Sequence, residues 1–139
     1  MERVLVDTNV LVAAAYNRSS SSYRIVEKIE TAELTLIVSP AIKREYAQIL
    51  PRAIRLEKKR EWIEQVIQQA ESVMLEANPP VTEDRDDDKF LAAALAGGAD
   101  AIVTNDQHLL IVHPYQGVDV LRPTTFWTLL LKRAESTES

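Results

Sequence analysis

The stretch Arg3-Val4-Leu5-Val6-Asp7-Thr8-Asn9-Val10-Leu11 decides how the rest of the chain is read. Residues 3–6 form a short β-branched run that reads as a buried strand. Asp7-Thr8-Asn9 interrupts it, and an apolar helix start follows from Val10. Outward from there the same alternation repeats. Serines 19–22 read as a loop capping a helix over 23–33, with Tyr23, Val26 and Ile29 inward, and residues 34–38 read as a second strand. Ser39-Pro40 pairs a hydroxyl cap with the ring that suits a first helical turn, and that helix is expected to stop at Pro51.

Residues 57–70 carry Ile63, Val66, Ile67 and Ala70 at helical spacing, and 72–75 read as a third strand. Asn78-Pro79-Pro80 breaks the chain; a helix over 86–96 follows, closed by Gly97-Gly98. Then come a strand over 101–104, a helical turn or two over 106–112 and a strand over 118–121. A final helix opens at Pro123 and carries Phe126, Trp127, Leu130 and Leu131, with a frayed tail expected at 136–139. Strands of four or five residues alternating with helices imply parallel strands joined by crossovers. The expected fold is therefore α/β, a three-layer α/β/α sandwich with a central parallel sheet, in one domain across 1–139.

Composition removes several functions. The 139 residues contain no cysteine, which excludes disulfides, thiolate zinc sites and a cysteine nucleophile. Three glycines, Gly97, Gly98 and Gly117, cannot make a Gly-rich phosphate loop. No apolar run approaches the ~20 residues of a membrane span, and no export signal is evident, so a cytoplasmic protein is expected. The net charge is −5, but of 16 basic residues seven fall in 43–60, namely Lys43, Arg44, Arg52, Arg55, Lys58, Lys59 and Arg60, against Glu45 and Glu57. Such a run is either a solvated helix face or a contact for a polyanion on an otherwise repulsive protein.

Four carboxylates sit where the apolar pattern argues against them. Asp7 follows the first strand directly, and Asp106 lies two residues beyond Thr104. Each alone reads as a turn former or helix cap, yet the carboxyl edge of a parallel sheet is also where ligands bind. Glu45 shares a helical stripe with Ile42, Tyr46 and Ile49, and Asp88 shares one with Leu91, Ala92 and Leu95. In a strand–helix crossover the start of the helix lies at the carboxyl end of the strand, so all four should project toward one rim. A single carboxylate pair ~5 Å apart repels by roughly 3 kcal/mol at an effective dielectric of about 20. Protonation or a divalent cation must relieve the crowding, and oxygen-only donors favour Mg2+ or Mn2+. His108 and His113, five apart, suit no shared helical face and read as peripheral.

The ordered motifs 4–11, Ser39-Pro40 with Glu45, 86–93 and 99–106 resemble those of the PIN-domain nucleases, specifically the small type found as toxins of bacterial toxin–antitoxin pairs. The resemblance implies an α/β/α fold and divalent-metal-dependent cleavage of phosphodiester bonds, usually in RNA. It implies Asp7, Glu45, Asp88 and Asp106 as catalytic and metal-binding acids, with Asp87 in reserve for Asp88 because the triple aspartate blurs the register. Thr104 would take a hydroxyl position near the metal, and Thr8 and Asn9 would shape the first loop. The basic residues of 43–60 would hold RNA. A cognate antitoxin and a homodimer are the further partners it suggests.

Two other readings compete. Phosphoryl transfer through Asp7 would need an aspartate where Asn9 stands, or a lysine near Arg122-Pro123. A non-catalytic RNA- or partner-binding scaffold would not need all four acids. Trp62 reads either as core or as an RNA-stacking ring; Trp127 reads as core or as dimer surface, with core favoured.

Overall fold

The computed structural model describes residues 2–75 and 85–138, with side chains for 2–75 and 89–135. Among these, five parallel strands and seven helices alternate as expected: β1 Glu2–Val6, α1 Thr8–Tyr16, α2 Ser21–Glu30, β2 Leu34–Val38, α3 Pro40–Ala53, α4 Glu57–Gln68, β3 Glu71–Ser72, α5 Arg85–Ala96, β4 Ala101–Val103, α6 Gln107–Leu110, β5 Asp119–Leu121 and α7 Pro123–Glu138. The sheet order is β3-β2-β1-β4-β5, every pair parallel. Helices cover both faces, which makes the three-layer α/β/α sandwich. Among the described residues no helix is long and apolar enough to cross a membrane.

Order reverses at β1, the first strand in sequence and the middle one in space. Val4, Leu5 and Val6 are fully buried, as are Ile102 and Val103 beside them on β4. The carboxyl ends of β1 and β4 therefore open side by side at the switch point of the sheet. Just past β2, Ser39 caps α3 by accepting from the Ile42 N–H at 3.3 Å, and Pro40 occupies the first turn. Gly97 lets α5 approach the sheet, because a Cβ there would stand 2.9 Å from Ile37 Cγ2.

Several local expectations need correction. The first helix starts at Thr8, since the Asp7 carbonyl already accepts from the Val10 and Leu11 amides. Pro51 does not stop α3; the helix continues to Ala53 because Leu50 and Ile54 are buried on either side of the ring. The buried stripe of α3 is Ile42, Tyr46 and Leu50, with Ile49 37% exposed. On α5 the buried residues are Phe90, Leu91, Ala93 and Ala94, with Leu95 39% exposed. The third strand is only Glu71–Ser72, at the sheet edge. On α7 Phe126 is buried, Trp127 and Leu130 pack partly against the core, and Leu131 faces out. The side chains of 136–139, expected to fray, lie outside the described residues.

Candidate active site

Asp7 occupies the cap position of α1, yet its carboxylate makes no capping bond there. The backbone is fixed by the Asp7 N–H donating to the Val103 carbonyl of β4 at 3.0 Å. The carboxylate turns to Thr104 instead, whose buried hydroxyl donates to Asp7 Oδ2 at 2.7 Å. The same Thr104 oxygen accepts the Asp106 N–H at 2.9 Å. One side chain thus ties the first and last acids of the site together. Asp106 does cap a helix, accepting the His108 N–H at 2.9 Å through Oδ1.

Glu45 is delivered by its neighbour. Tyr46 is buried, and its hydroxyl donates to the Val6 carbonyl at 2.5 Å, pinning α3 to the last residue of β1. One position away, Glu45 accepts the Thr8 hydroxyl on Oε2 and faces the Lys89 ammonium on Oε1 at 2.5 Å. Burial, with Asp7 and Glu45 adding to it, drives the Tyr46 phenol far above its usual range. It is a structural donor and does not ionise.

Charge at the rim is sensed most by Asp7. Burial pushes its carboxyl above the ordinary range, and the charges of Glu45 and Asp106 push it further. The Thr104 hydroxyl and the Thr8 amide oppose this without cancelling it. Asp7, Glu45 and Asp106 thus belong to one electrostatic neighbourhood. Among the described residues, however, no three His, Cys, Asp or Glu side chains stand close enough to enclose an ion. The side chains of Asp88 and its reserve Asp87 lie outside the described residues. The stripe that favoured Asp88 loses one of its members with the exposure of Leu95.

The supporting and basic residues divide. Thr8 is buried and engaged; Asn9 is exposed. Lys43 and Arg44 are exposed one helical turn or less from Glu45. Arg52 and Arg55 lie at the far end of α3, more than ~10 Å along the axis from Lys43 at ~1.5 Å per residue. Lys59 stands 5.6 Å over the Tyr16 ring, and Arg60 pairs with Glu64 and donates to the Ile54 carbonyl. The basic run is therefore not one surface: Lys43 lines the cavity between α3 and α4 with Tyr46 and Glu64, and Arg44 is exposed on α3. Trp62 packs on Tyr23 with centroids 5.0 Å apart and donates to Glu30 at 2.8 Å, so it fastens α4 to α2. His113 accepts the Val120 N–H at 2.9 Å, and His108 is exposed; both are peripheral.

Sequence reasoning missed Lys89 and Arg122. Lys89 follows the acid run by one residue, which was signal enough to ask which carboxylate it would meet. Arg122 follows β5 and reaches Asn105 Oδ1 at 3.4 Å, beside Asp106.

A family model described as PIN domain matches residues 3–108. Among solved structures, VapBC2 from Rickettsia felis bound to a DNA fragment from their promoter is similar at 15% identity with a TM-score of 0.57, covering 85% of this chain and 96% of that one. PAE2754 from Pyrobaculum aerophilum is similar at 19% identity with a TM-score of 0.59, covering 94% and 90%. No curated protein matches the chain.

Proposed function

Because this chain belongs to the PIN-domain family, a family of nucleases, we propose that it is a divalent-metal-dependent endoribonuclease. Residues 1–139 would form one such domain. The observation that carries this reading is the half-buried Asp7 carboxyl at the switch point of the sheet, hydrogen-bonded to Thr104 and pushed above its ordinary range first by desolvation and then by the charges of Glu45 and Asp106. Among the described residues neither Asp7 nor Asp106 has an ion pair.

The donor set fits a hard dication, with carboxylates and hydroxyls and neither thiolate nor converging imidazoles. Asp7, Glu45 and Asp106, with Asp88 from α5, would hold Mg2+ or Mn2+. When bound, such an ion lowers the pKa of a water and offsets charge on the phosphate. Thr104 keeps Asp7 and Asp106 in register, and Thr8 keeps Glu45 turned inward. Lys43 and Arg44 are placed to take flanking phosphates, which compensates for a net charge of −5. The likeness to VapBC2 supports an antitoxin as partner and a toxin role; we take the cytoplasm as the setting.

The test is cleavage of single-stranded RNA by the purified chain in Mg2+ or Mn2+, against a chelator control and Asp7→Asn. Cleavage that needs the metal and disappears in the variant supports the reading. Binding of RNA without cleavage in any metal would instead favour a scaffold.

A further inference from the structure

Both oxygens of Glu45 are engaged from within the chain. Oε2 accepts the Thr8 hydroxyl, and Oε1 stands 2.5 Å from the Lys89 ammonium, with the two side chains of that pair only 15% and 19% exposed. Lys89 comes from the first turns of α5 and reaches across to α3, so this is a tertiary contact and not a local helix pair. Elsewhere at the rim, Asp7 and Asp106 are held by hydroxyl and amide donors and lack an ion pair among the described residues. Of these three described carboxylates, Glu45 has a cation and Asp7 and Asp106 do not.

We propose that Lys89 is a built-in counter-ion for Glu45, one that a dication must displace before Glu45 can become its ligand. The proposal rests on the metal-dependent reading above. Its physical basis is that an ammonium on a mostly buried carboxylate offsets the charge crowding of the rim. A dication taking Oε1 must break that contact, so loading is an exchange of cations and not a simple addition. The consequence is a raised metal threshold. The chain stays folded and idle at low metal, and Lys89 is released toward the rim as the site fills. Lys89 is thus a positioning residue, acting through Glu45.

The experiment titrates Mn2+ alone into the full chain, read by electron paramagnetic resonance of free Mn2+, for wild type, Lys89→Met and Lys89→Arg. Lys89→Met is expected to bind Mn2+ about tenfold tighter, within the usual range of coupling between two competing ligands. Lys89→Arg should stay close to wild type. Thermal unfolding in chelator gives a second readout. Lys89→Met should melt about 5 °C lower, and adding Glu45→Gln should restore most of the loss. Unchanged or weaker Mn2+ binding by Lys89→Met overturns the proposal. If Lys89→Met fails to fold, Lys89→Gln replaces it with the same expected direction. Absence of Mn2+ binding by wild type itself overturns both this exchange and the metal reading. Saturable Mn2+ binding by wild type with unchanged or weaker binding by Lys89→Met overturns the exchange alone and leaves the metal reading standing, which separates the two failures.

Discussion

Acids stand at both ends of the strands, and the two ends treat them differently. Where strands begin, Glu2 is paired with Arg133, Glu33 with Lys28 at 3.1 Å, and Glu71 with Arg3. Asp100, one residue before β4, accepts the Arg3 N–H at 2.7 Å. Arg3 also donates twice to the Gly97 carbonyl, so one guanidinium joins β1, β3 and the end of α5. The Glu33 and Glu71 carboxyls accordingly lie below their ordinary range, through hydrogen bonds from Thr31 and Lys28 and from Arg3 respectively. Where strands end, the Asp7 carboxyl lies above its ordinary range, and among the described acids there Glu45 alone has a cation. Among the described residues, Glu2, Glu33 and Glu71 are neutralised pairwise, whereas Asp7 and Asp106, like Asp100 and Asp119, have no ion pair. On the proposed reading, Asp7 and Asp106 would be the acids left for a bound dication.

The contrast can be broken most decisively at Asp7. Asp7→Asn is expected to lower metal-dependent RNA cleavage by at least ~1,000-fold, since it removes a reacting-centre charge worth several kcal/mol. Its melting temperature in chelator should equal or exceed that of wild type, because a carboxyl whose ionised form is disfavoured has been removed. A cleavage assay beside a melting curve checks both. Thr104→Val should cost about 10- to 100-fold in cleavage, the usual range for residues that orient ligands. It takes a donor from Asp7 and an acceptor from the Asp106 amide, measurable as a fall in kcat at saturating RNA.

At the other end the signs should reverse. Arg3→Met should leave cleavage per folded molecule unchanged while lowering stability by about 1–3 kcal/mol through unmet acceptors, measured by urea unfolding. The smallest effect belongs to Glu33→Gln, an exposed pair. Its folded carboxyl is depressed, so its contribution is present above the unfolded carboxylate range and is lost as pH falls through the folded one. Wild type and variant should converge in melting temperature once the pH falls below the depressed Glu33 carboxyl range, and differ by no more than about 1 °C at neutral pH.

Much of this was legible in the sequence, for identifiable reasons. β1, β2 and the capped start of α3 were readable because Val4-Leu5-Val6, residues 34–38 and Ser39-Pro40 obey local rules. The placement of Glu45 was legible because it flanks Ile42 and Tyr46, although Ile49 proved exposed and Leu50 took its place. What was hidden depended on contacts distant in the chain. The continuation of α3 through Pro51 follows from the burial of Leu50 and Ile54, which outweighs the missing N–H. The basic run of 43–60 looked like one surface because sequence does not show that Lys59 would rest on Tyr16 and Arg60 on Ile54 and Glu64. The Lys89–Glu45 pair spans 44 positions and two crossovers, beyond any local pattern.

The triple aspartate is the place where sequence and structure leave the same question. Parallel Asp87→Asn and Asp88→Asn variants answer it: the helical stripe that Asp88 shares with the buried Leu91 predicts the larger loss of cleavage at Asp88.

The most direct test of the unpaired rim is a Mn2+ binding isotherm, measured on wild type, Asp7→Asn and Asp106→Asn at neutral pH. The account predicts saturable binding by wild type and at least ~10-fold weaker binding by both variants, as expected for losing a direct charged ligand. Equal affinity across the three chains would mean that the carboxylates at the ends of β1 and β4 do not share an ion, and would contradict it.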